Sequence, residues 1–203
     1  MNLGASGISG ALDDSISQLE HLVKLNISHN NIRGFLPNSL WTIQGLEQFD
    51  AHSNVLQGMI DDYDFKTGGL LKLLDLGDNK IVGQIPPSLR NLEQLECLDL
   101  SENTLFDVPS KVSGSMAIFD GYFPRLKELR LQDNELGGEL HACSLLDTLT
   151  YLNIEDNDFE CADACWSDAL GGEKAGLTMV YDWNLILCGS SHYPTMKPSL
   201  PPT

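Results

Sequence analysis

The chain has 203 residues, 42% of them hydrophobic, so it can bury the core of one large domain or two small ones. Its 29 acidic and 12 basic residues produce a formal net charge of -17. This charge excludes nucleic acid as a favoured partner, because affinity for phosphates depends on Lys and Arg. We find no stretch near the ~20 apolar residues that span a bilayer and no signal peptide. We therefore expect no membrane insertion within this chain and a neutral to basic partner.

A repeat organises most of the chain, and its clearest copy is LLKLLDLGDNKIVGQIPPSLRNL, residues 70–92. One Asn recurs in register, with Ser6 in the equivalent place, at Asn30, Asn54, Asn79, Asn103, Asn134 and Asn157. A period of about 20 to 29 residues with the pattern L-x-x-L-x-L-x-x-N resembles the leucine-rich repeat. The resemblance implies an α/β fold, a curved right-handed solenoid of about seven repeats with a parallel sheet on its concave face.

Two copies carry a further mark, in which Gly34 and Gly83 begin the elements GFLP and GQIP after the Asn. Three other copies have the Gly without the Pro, at Gly10, Gly58 and Gly138. The sequence therefore resembles the plant-specific class known from receptor kinases, receptor-like proteins and polygalacturonase inhibitors. The partial copies leave a related microbial or algal subtype open. The resemblance implies non-catalytic recognition of a peptide or protein, in a fragment of an extracellular receptor-like or secreted protein.

The regular register predicts the domain limits. We expect a repeat array at 1–159 whose first repeat is truncated, a C-terminal cap at 160–190 and a Pro-rich tail at 191–203. The first repeat begins in mid-coil, so we expect the chain to be a piece of a longer protein. An insertion around 110–123 lengthens one repeat and includes Phe119, Tyr122 and Phe123. It is either a plain spacer or, because loops often carry recognition, part of the ligand-binding surface.

The recurring Asn is expected to be structural. An inward amide has both a donor and an acceptor, so it can satisfy backbone groups that the turn leaves buried.

Side chains on either side of the inward strand residue should face outward on the concave sheet. Together with two later positions of each repeat they form a strongly acidic surface. The carboxylates would steer a basic peptide or protein. Asp75 and Asp99 could instead be ordinary repeat residues that solvate the strand, whereas the acidic residues directly before the Asn have no such repeat pattern and favour function. The predicted ligand-binding residues are Leu73, Asp75, Asp78, Asp99, Glu102, Glu128, Arg130, Asp133, Tyr151 and Asp156.

Catalytic and metal sites are not expected. Ser28 and His52, with Asp50 or Asp75, could be drawn as a triad, but nothing supplies an oxyanion hole. His29, His52 and Asp78 could converge on a metal, yet the sequence has no short-spaced ligand motif. We therefore predict no enzyme activity, no metal and no cofactor, and we expect no site at His21, His141 or His192.

Four of the five cysteines lie in the last third of the chain and are disulfide candidates, namely Cys143, Cys161, Cys165 and Cys188. Cys143 could pair with Cys161 or Cys165, Cys188 would take the remaining partner, and four reduced thiols stay possible. Cys97 should be the unpaired thiol. The sequon at Asn26 is a glycosylation candidate. We expect an extracellular or cell-surface location; the alternatives are a structural or intracellular scaffold, or a secreted enzyme inhibitor.

Overall fold

The computed structural model describes residues 1–61, 65, 69–106, 115–121, 123–172, 174–182 and 184–188. Tyr122, part of the insertion, and the predicted tail at 191–203 lie outside the described residues.

Short parallel strands, one from each coil, form the first sheet. Each strand has three residues, and its middle side chain is apolar and buried. Because side chains alternate along a strand, the two flanking residues face the opposite, concave side. Within this sheet, the strands of consecutive coils pair directly and without a register shift. They are Lys24–Asn26, Gln48–Asp50, Leu73–Asp75, Cys97–Asp99, Glu128–Arg130, Tyr151–Asn153 and Thr178–Val180.

Two more parallel sheets follow the turn after the first-sheet strands, and the sequence did not predict them. The second sheet contains Ser9–Gly10, Asn31–Gly34, Val55–Gly58, Lys80–Gly83 and Thr104–Leu105. The third sheet contains Gly137–Leu140, Asp158–Ala162 and Ile186–Leu187. Gly34, Gly58 and Gly83 end their strands with φ of +88°, +88° and +92°, a conformation that Gly adopts without strain. The recurring Gly is therefore conformational.

Helical turns complete the coils on the side away from the first sheet. Pro37 and Pro86, the last residues of GFLP and GQIP, immediately precede two of them. The 3-10 helices are Asp14–Gln18, Asn38–Thr42, Pro87–Asn91, Ser115–Phe119, Cys143–Asp147 and Ala164–Trp166, and one α-helix covers Ser167–Leu170. The predicted α/β leucine-rich repeat solenoid is confirmed, with 3-10 turns supplying most of its helical part.

The Asn of each repeat ties neighbouring coils together. Asn79 donates from Nδ2 to the carbonyls of Leu76 and Gly77, at 3.0 and 2.9 Å, and to that of Ala51 in the preceding coil at 3.1 Å. Its Oδ1 accepts the N–H of Leu56 at 3.0 Å. The same arrangement recurs at Asn30, Asn54, Asn103, Asn134 and Asn157. The predicted structural role of this Asn is confirmed.

The described part of the insertion contributes to the core. Phe119 and Phe123 are 0% and 4% exposed, and their ring centroids lie 5.1 Å apart. Met116 is also fully buried. Of the two alternatives that the sequence left open for the insertion, recognition does not apply to the side chains of Phe119 and Phe123, because they fill the interior of the longer coil.

The sheets continue beyond residue 159, where the register was expected to stop. Thr178–Val180 pairs with Tyr151–Asn153 in the first sheet, and Ile186–Leu187 extends the third sheet. Trp166 is fully buried beneath them, and the Tyr181 hydroxyl donates to the carbonyl of Leu170 at 2.5 Å. The described residues after 159 thus pack as further coils, while the predicted domain limits stay a prediction.

Candidate ligand-binding surface

The concave face of the first sheet carries its outward side chains in rows that run across the strands. The row before the buried residue contains Lys24, Gln48, Leu73, Cys97, Glu128, Tyr151 and Thr178. The row after it contains Asn26, Asp50, Asp75, Asp99, Arg130, Asn153 and Val180. The structure thus brings six predicted binding residues together, and their role in binding stays a prediction.

Acidic and amide side chains in the second of these rows hydrogen bond to the backbone. Oδ1 of Asp50, Asp75 and Asp99 accepts the N–H two residues later, at 3.0 to 3.1 Å. Asn26 and Asn153 make the same bond. This local bond favours the turn. The structure therefore gives a structural reason for Asp75 and Asp99. This reason agrees with the alternative that they are ordinary repeat residues, which the sequence left open beside ligand binding.

The residue directly before each Asn has a left-handed backbone. The φ angles of Asp78, Glu102, Asp133 and Asp156 lie between 49° and 55°, a region that Asp tolerates better than most residues. Their frequent acidity thus has a local cause that the sequence analysis did not consider. Glu102, Asp133 and Asp156 are exposed and Asp78 is half-buried. The N–H groups of Asp78, Glu102 and Asp133 each donate to a carbonyl of the next coil, so these residues lie at the edge of the first sheet.

Arg130 is the centre of a polar cluster on the concave face. Its Nη1 lies 2.9 Å from Oε2 of Glu128, and its Nε lies 4.0 Å from Oδ2 of Asp99. The guanidinium carbon lies 4.7 Å from the centroid of the Tyr151 ring, a cation–π contact. Nη1 also lies 3.9 Å from Sγ of Cys97. Neighbouring carboxylates therefore offset much of the positive charge of Arg130.

A second cluster lies on neighbouring coils of the same face. Nδ1 of His52 lies 3.2 Å from Oδ1 of Asp75, and the candidate ligand atoms of His52, Asp75 and Asp99 lie within 4.8 Å of one another. The pKa of Asp75 is raised to about 6, mainly by burial and next by repulsion from Asp99. The hydrogen bond from the Gly77 N–H and the neighbouring His52 lower this pKa but do not offset the increase. His52 therefore faces Asp75 and Asp99, and the cluster does not include Asp78, with which the sequence analysis had grouped it.

Ser28 and Asn26 are engaged in local bonds. The Ser28 hydroxyl donates to Oδ1 of Asn26 at 3.0 Å, and Ser28 is only 7% exposed. Asn26 Nδ2 donates to Oδ2 of Asp50 at 2.6 Å. The hydroxyl of the hypothetical triad thus bonds to an amide, and Asn26, the predicted glycosylation site, is half-buried on the concave sheet.

Two disulfides connect the C-terminal coils. Cys143 pairs with Cys165, and Cys161 pairs with Cys188, which is one of the two pairings left open by the sequence. Cys97 is the free cysteine, as predicted. Burial, then the charge of Glu128, raises the pKa of the Cys97 thiol to about 11, which disfavours a reactive thiolate.

His141 has partners that sequence reasoning missed, and the expectation that it has no functional site stays a prediction. Its Nδ1 lies 2.9 Å from Oδ2 of Asp163, and its Nε2 lies 3.1 Å from Oε2 of Glu139. The hydrogen bond to Asp163 is the main cause of a raised pKa at His141, opposed by burial. His141 and Asp163 are 22 residues apart, about one coil, and that spacing was the available signal.

Comparisons with known proteins agree with this geometry. The family model described as Leucine Rich Repeat matches residues 21–43 and 70–92. Receptor-like protein 31 of Arabidopsis thaliana is 31% identical over 46% of this chain and 11% of its own length. Receptor-like protein 35 of the same plant is 31% identical over 76% of this chain and 15% of its own length. The chain therefore spans only a small part of these curated relatives.

Two solved structures of the Arabidopsis receptor kinase HAESA have the same fold. One, in complex with the peptide hormone IDA and the co-receptor SERK1, has a TM-score of 0.74 at 24% identity and covers 96% of this chain and 31% of that one. The other, an ectodomain in complex with an N-terminally extended IDA peptide, has a TM-score of 0.67 at 26% identity and covers 87% and 29%.

In its fold, its family-model matches and its relatives, the chain is similar to leucine-rich repeat proteins of the plant-specific, receptor-like class. Within the part of the chain that the structure describes, none of the helices has the length and apolar character needed to cross a membrane.

Proposed function

We propose that this protein is a non-catalytic recognition module that binds a neutral to basic peptide or protein through its concave face. The observation that carries the proposal is the alignment of exposed or half-buried carboxylates in consecutive coils, at Asp78, Glu102, Asp133 and Asp156. Lys24 and Arg130 are the basic side chains of the two strand rows, and Glu128 pairs with Arg130. The face would therefore attract positive charge.

The similar HAESA ectodomain supports a peptide as the ligand, since it was solved with a peptide hormone and is 26% identical to this chain. The first sheet has seven strands, and six intervals of about 4.8 Å make it about 29 Å wide. An extended peptide rises about 3.3 Å per residue, so about nine residues would cross the sheet.

The two disulfides favour an oxidising, extracellular compartment. The similarity to plant receptor-like proteins supports the same location. An intracellular scaffold, the alternative raised by the sequence, would more often keep these cysteines reduced. A secreted enzyme inhibitor differs from a receptor only in its ligand, which would be a folded enzyme.

Charge reversal tests the proposal. We expect Asp78→Lys, Glu102→Lys and Asp133→Lys together to weaken binding of a basic nine-residue synthetic peptide by about tenfold or more. The variant should also have a shallower dependence of binding on salt, because fewer opposite charges are screened. Fluorescence anisotropy with labelled basic, neutral and acidic peptides, at several NaCl concentrations, measures both effects.

A matched variant reverses the same number of exposed carboxylates away from the concave face, with Glu20→Lys, Glu93→Lys and Glu160→Lys. It should keep the affinity of the parent for the basic peptide. Equal affinities for the parent and the concave-face variant would remove this face from the binding site. Tightest binding of the acidic peptides would contradict the proposed charge preference.

A further inference from the structure

Gly77 allows polar side chains of the two flanking coils to approach closely on the concave face. The residues two positions after the outward Asp or Asn of each strand are Ser28, His52, Gly77, Ser101, Gln132 and Glu155. A Cβ atom built on Gly77 would lie 2.7 Å from Nδ1 of His52, 2.8 Å from Oδ1 of Asp99 and 3.0 Å from Oγ of Ser101, which is too close for a real side chain. Three polar atoms from two coils thus converge beside a residue that has no side chain.

Two of the side chains around Gly77 are well buried. Asp99 is 6% exposed and Ser101 is 1% exposed. Asp75 lies beside them, with its Oδ1 3.2 Å from Nδ1 of His52. Two carboxylates on adjacent coils therefore share a small, partly buried volume with one imidazole nitrogen. Their mutual repulsion is the kind of cost that a bound cation removes.

We propose that the side-chain cluster beside Gly77 is a binding site for a divalent transition metal ion, with His52, Asp75 and Asp99 as its ligands. One imidazole nitrogen and two carboxylates form a ligand set suited to Zn²⁺, whereas Ca²⁺ prefers oxygen ligands throughout. Bonds to Zn²⁺ are about 2.0 to 2.2 Å long, and the candidate ligand atoms already lie within 4.8 Å of one another, so modest side-chain movements would bring all three to one ion. The Ser101 hydroxyl lies beside the same point.

The backbone supports this arrangement without strain. Oδ1 of Asp75 and Asp99 each accept a backbone N–H, which orients both carboxylates. Gly77 does not have a left-handed φ, so its conformation does not demand glycine. The lack of a side chain at this position is instead what lets the polar atoms of His52, Asp99 and Ser101 approach so closely. The site goes beyond the proposed peptide binding and does not depend on it.

The decisive variant is Gly77→Ala, whose methyl group would push apart the polar atoms of His52 and Asp99 without removing a ligand. Isothermal titration with ZnCl₂ should give one saturable site in the parent protein. In Gly77→Ala and in His52→Gln the affinity of that site should fall by at least about tenfold. Circular dichroism would verify that each variant is folded, and Asp99→Asn replaces any variant that is not, because Asn occurs in the same row at Asn26 and Asn153.

Two controls separate this site from general attraction of cations. All titrations are done in a His141→Gln background, since Glu139, His141 and Asp163 form another cluster that could bind Zn²⁺. Asp50→Asn removes a neighbouring carboxylate of the same row that is not one of the three ligands, and it should keep the affinity within about threefold. Unchanged affinity in folded Gly77→Ala and His52→Gln would overturn the proposal. An absence of saturable binding by the parent up to about 1 mM ZnCl₂ would overturn it too.

Discussion

At the scale of single residues, the side-chain amide of one Asn per coil forms the hydrogen bonds that connect neighbouring coils. The Asn79 amide hydrogen bonds to three backbone carbonyls and one backbone N–H. One of these carbonyls and the N–H belong to the preceding coil. No apolar side chain of similar size could do so. The acidic residue before this Asn also has a local cause, because the left-handed turn favours short polar side chains. Residue identity at both positions therefore follows from backbone requirements.

Replacing Asn79 with Leu should lower the free energy of unfolding by about 1 to 3 kcal/mol, because buried carbonyls and an N–H would lose their partner. Urea denaturation followed by circular dichroism measures this change. The neighbouring, exposed Lys80 supplies the control, and Lys80→Ala should change stability by less than about 0.5 kcal/mol. An unchanged unfolding midpoint for Asn79→Leu would remove the amide from the account of stability.

At the scale of elements, the C-terminal coils differ from the rest by their cross-links. Cys143 begins a 3-10 helix, and its bridge to Cys165 connects that helix to the next one. The other bridge connects Cys161, in strand Asp158–Ala162, to Cys188, which directly follows strand Ile186–Leu187 of the third sheet. Each closes a separation of 22 or 27 residues, so the entropy of the unfolded chain falls with each.

The pairing has a direct chemical test. Denatured but unreduced protein should take up one alkyl group, at Cys97, and reduced protein should take up five. Intact-mass spectrometry counts the groups, and peptide mapping identifies the two bridges. Five groups without reduction would show that the thiols are free.

Removing the second bridge with Cys161→Ser and Cys188→Ser should lower the free energy of unfolding by about 2 to 4 kcal/mol. Urea denaturation in the absence of reductant measures the loss. Cys97→Ser, which breaks no bridge, is the matched control. A loss no larger than that of the control would mean that packing, rather than the bridge, holds these coils.

At the scale of the whole molecule, the formal charge of -17 should destabilise the folded state through self-repulsion. Raising NaCl from about 0.01 to 0.15 M shortens the screening length from about 30 to about 8 Å. We therefore expect thermal unfolding to move upward, by about 2 to 4 °C for each kcal/mol of repulsion removed. The shift should vanish near pH 4.4, the isoelectric point. A lower unfolding temperature with added salt at neutral pH would mean that attractive ion pairs dominate.

The sequence by itself determined the period, the structural Asn, the rows of the first sheet and the free Cys97. These features could be predicted because each coil must solve the same backbone problem, so the same residue types recur at the same offsets. The second and third sheets were missed, although their Gly was seen, because the strands there are short and carry little apolar alternation.

Only the tertiary structure decided which side chains of different coils meet. It selected Cys143–Cys165 over Cys143–Cys161, buried Phe119 and Phe123, and paired His141 with Asp163. A repeat period places residues in rows, but the choice of contact within a row depends on competing hydrogen bonds, burial and the space left by neighbours. The cluster beside Gly77 is of this kind, because polar atoms of the two flanking coils can approach so closely only where a side chain is missing.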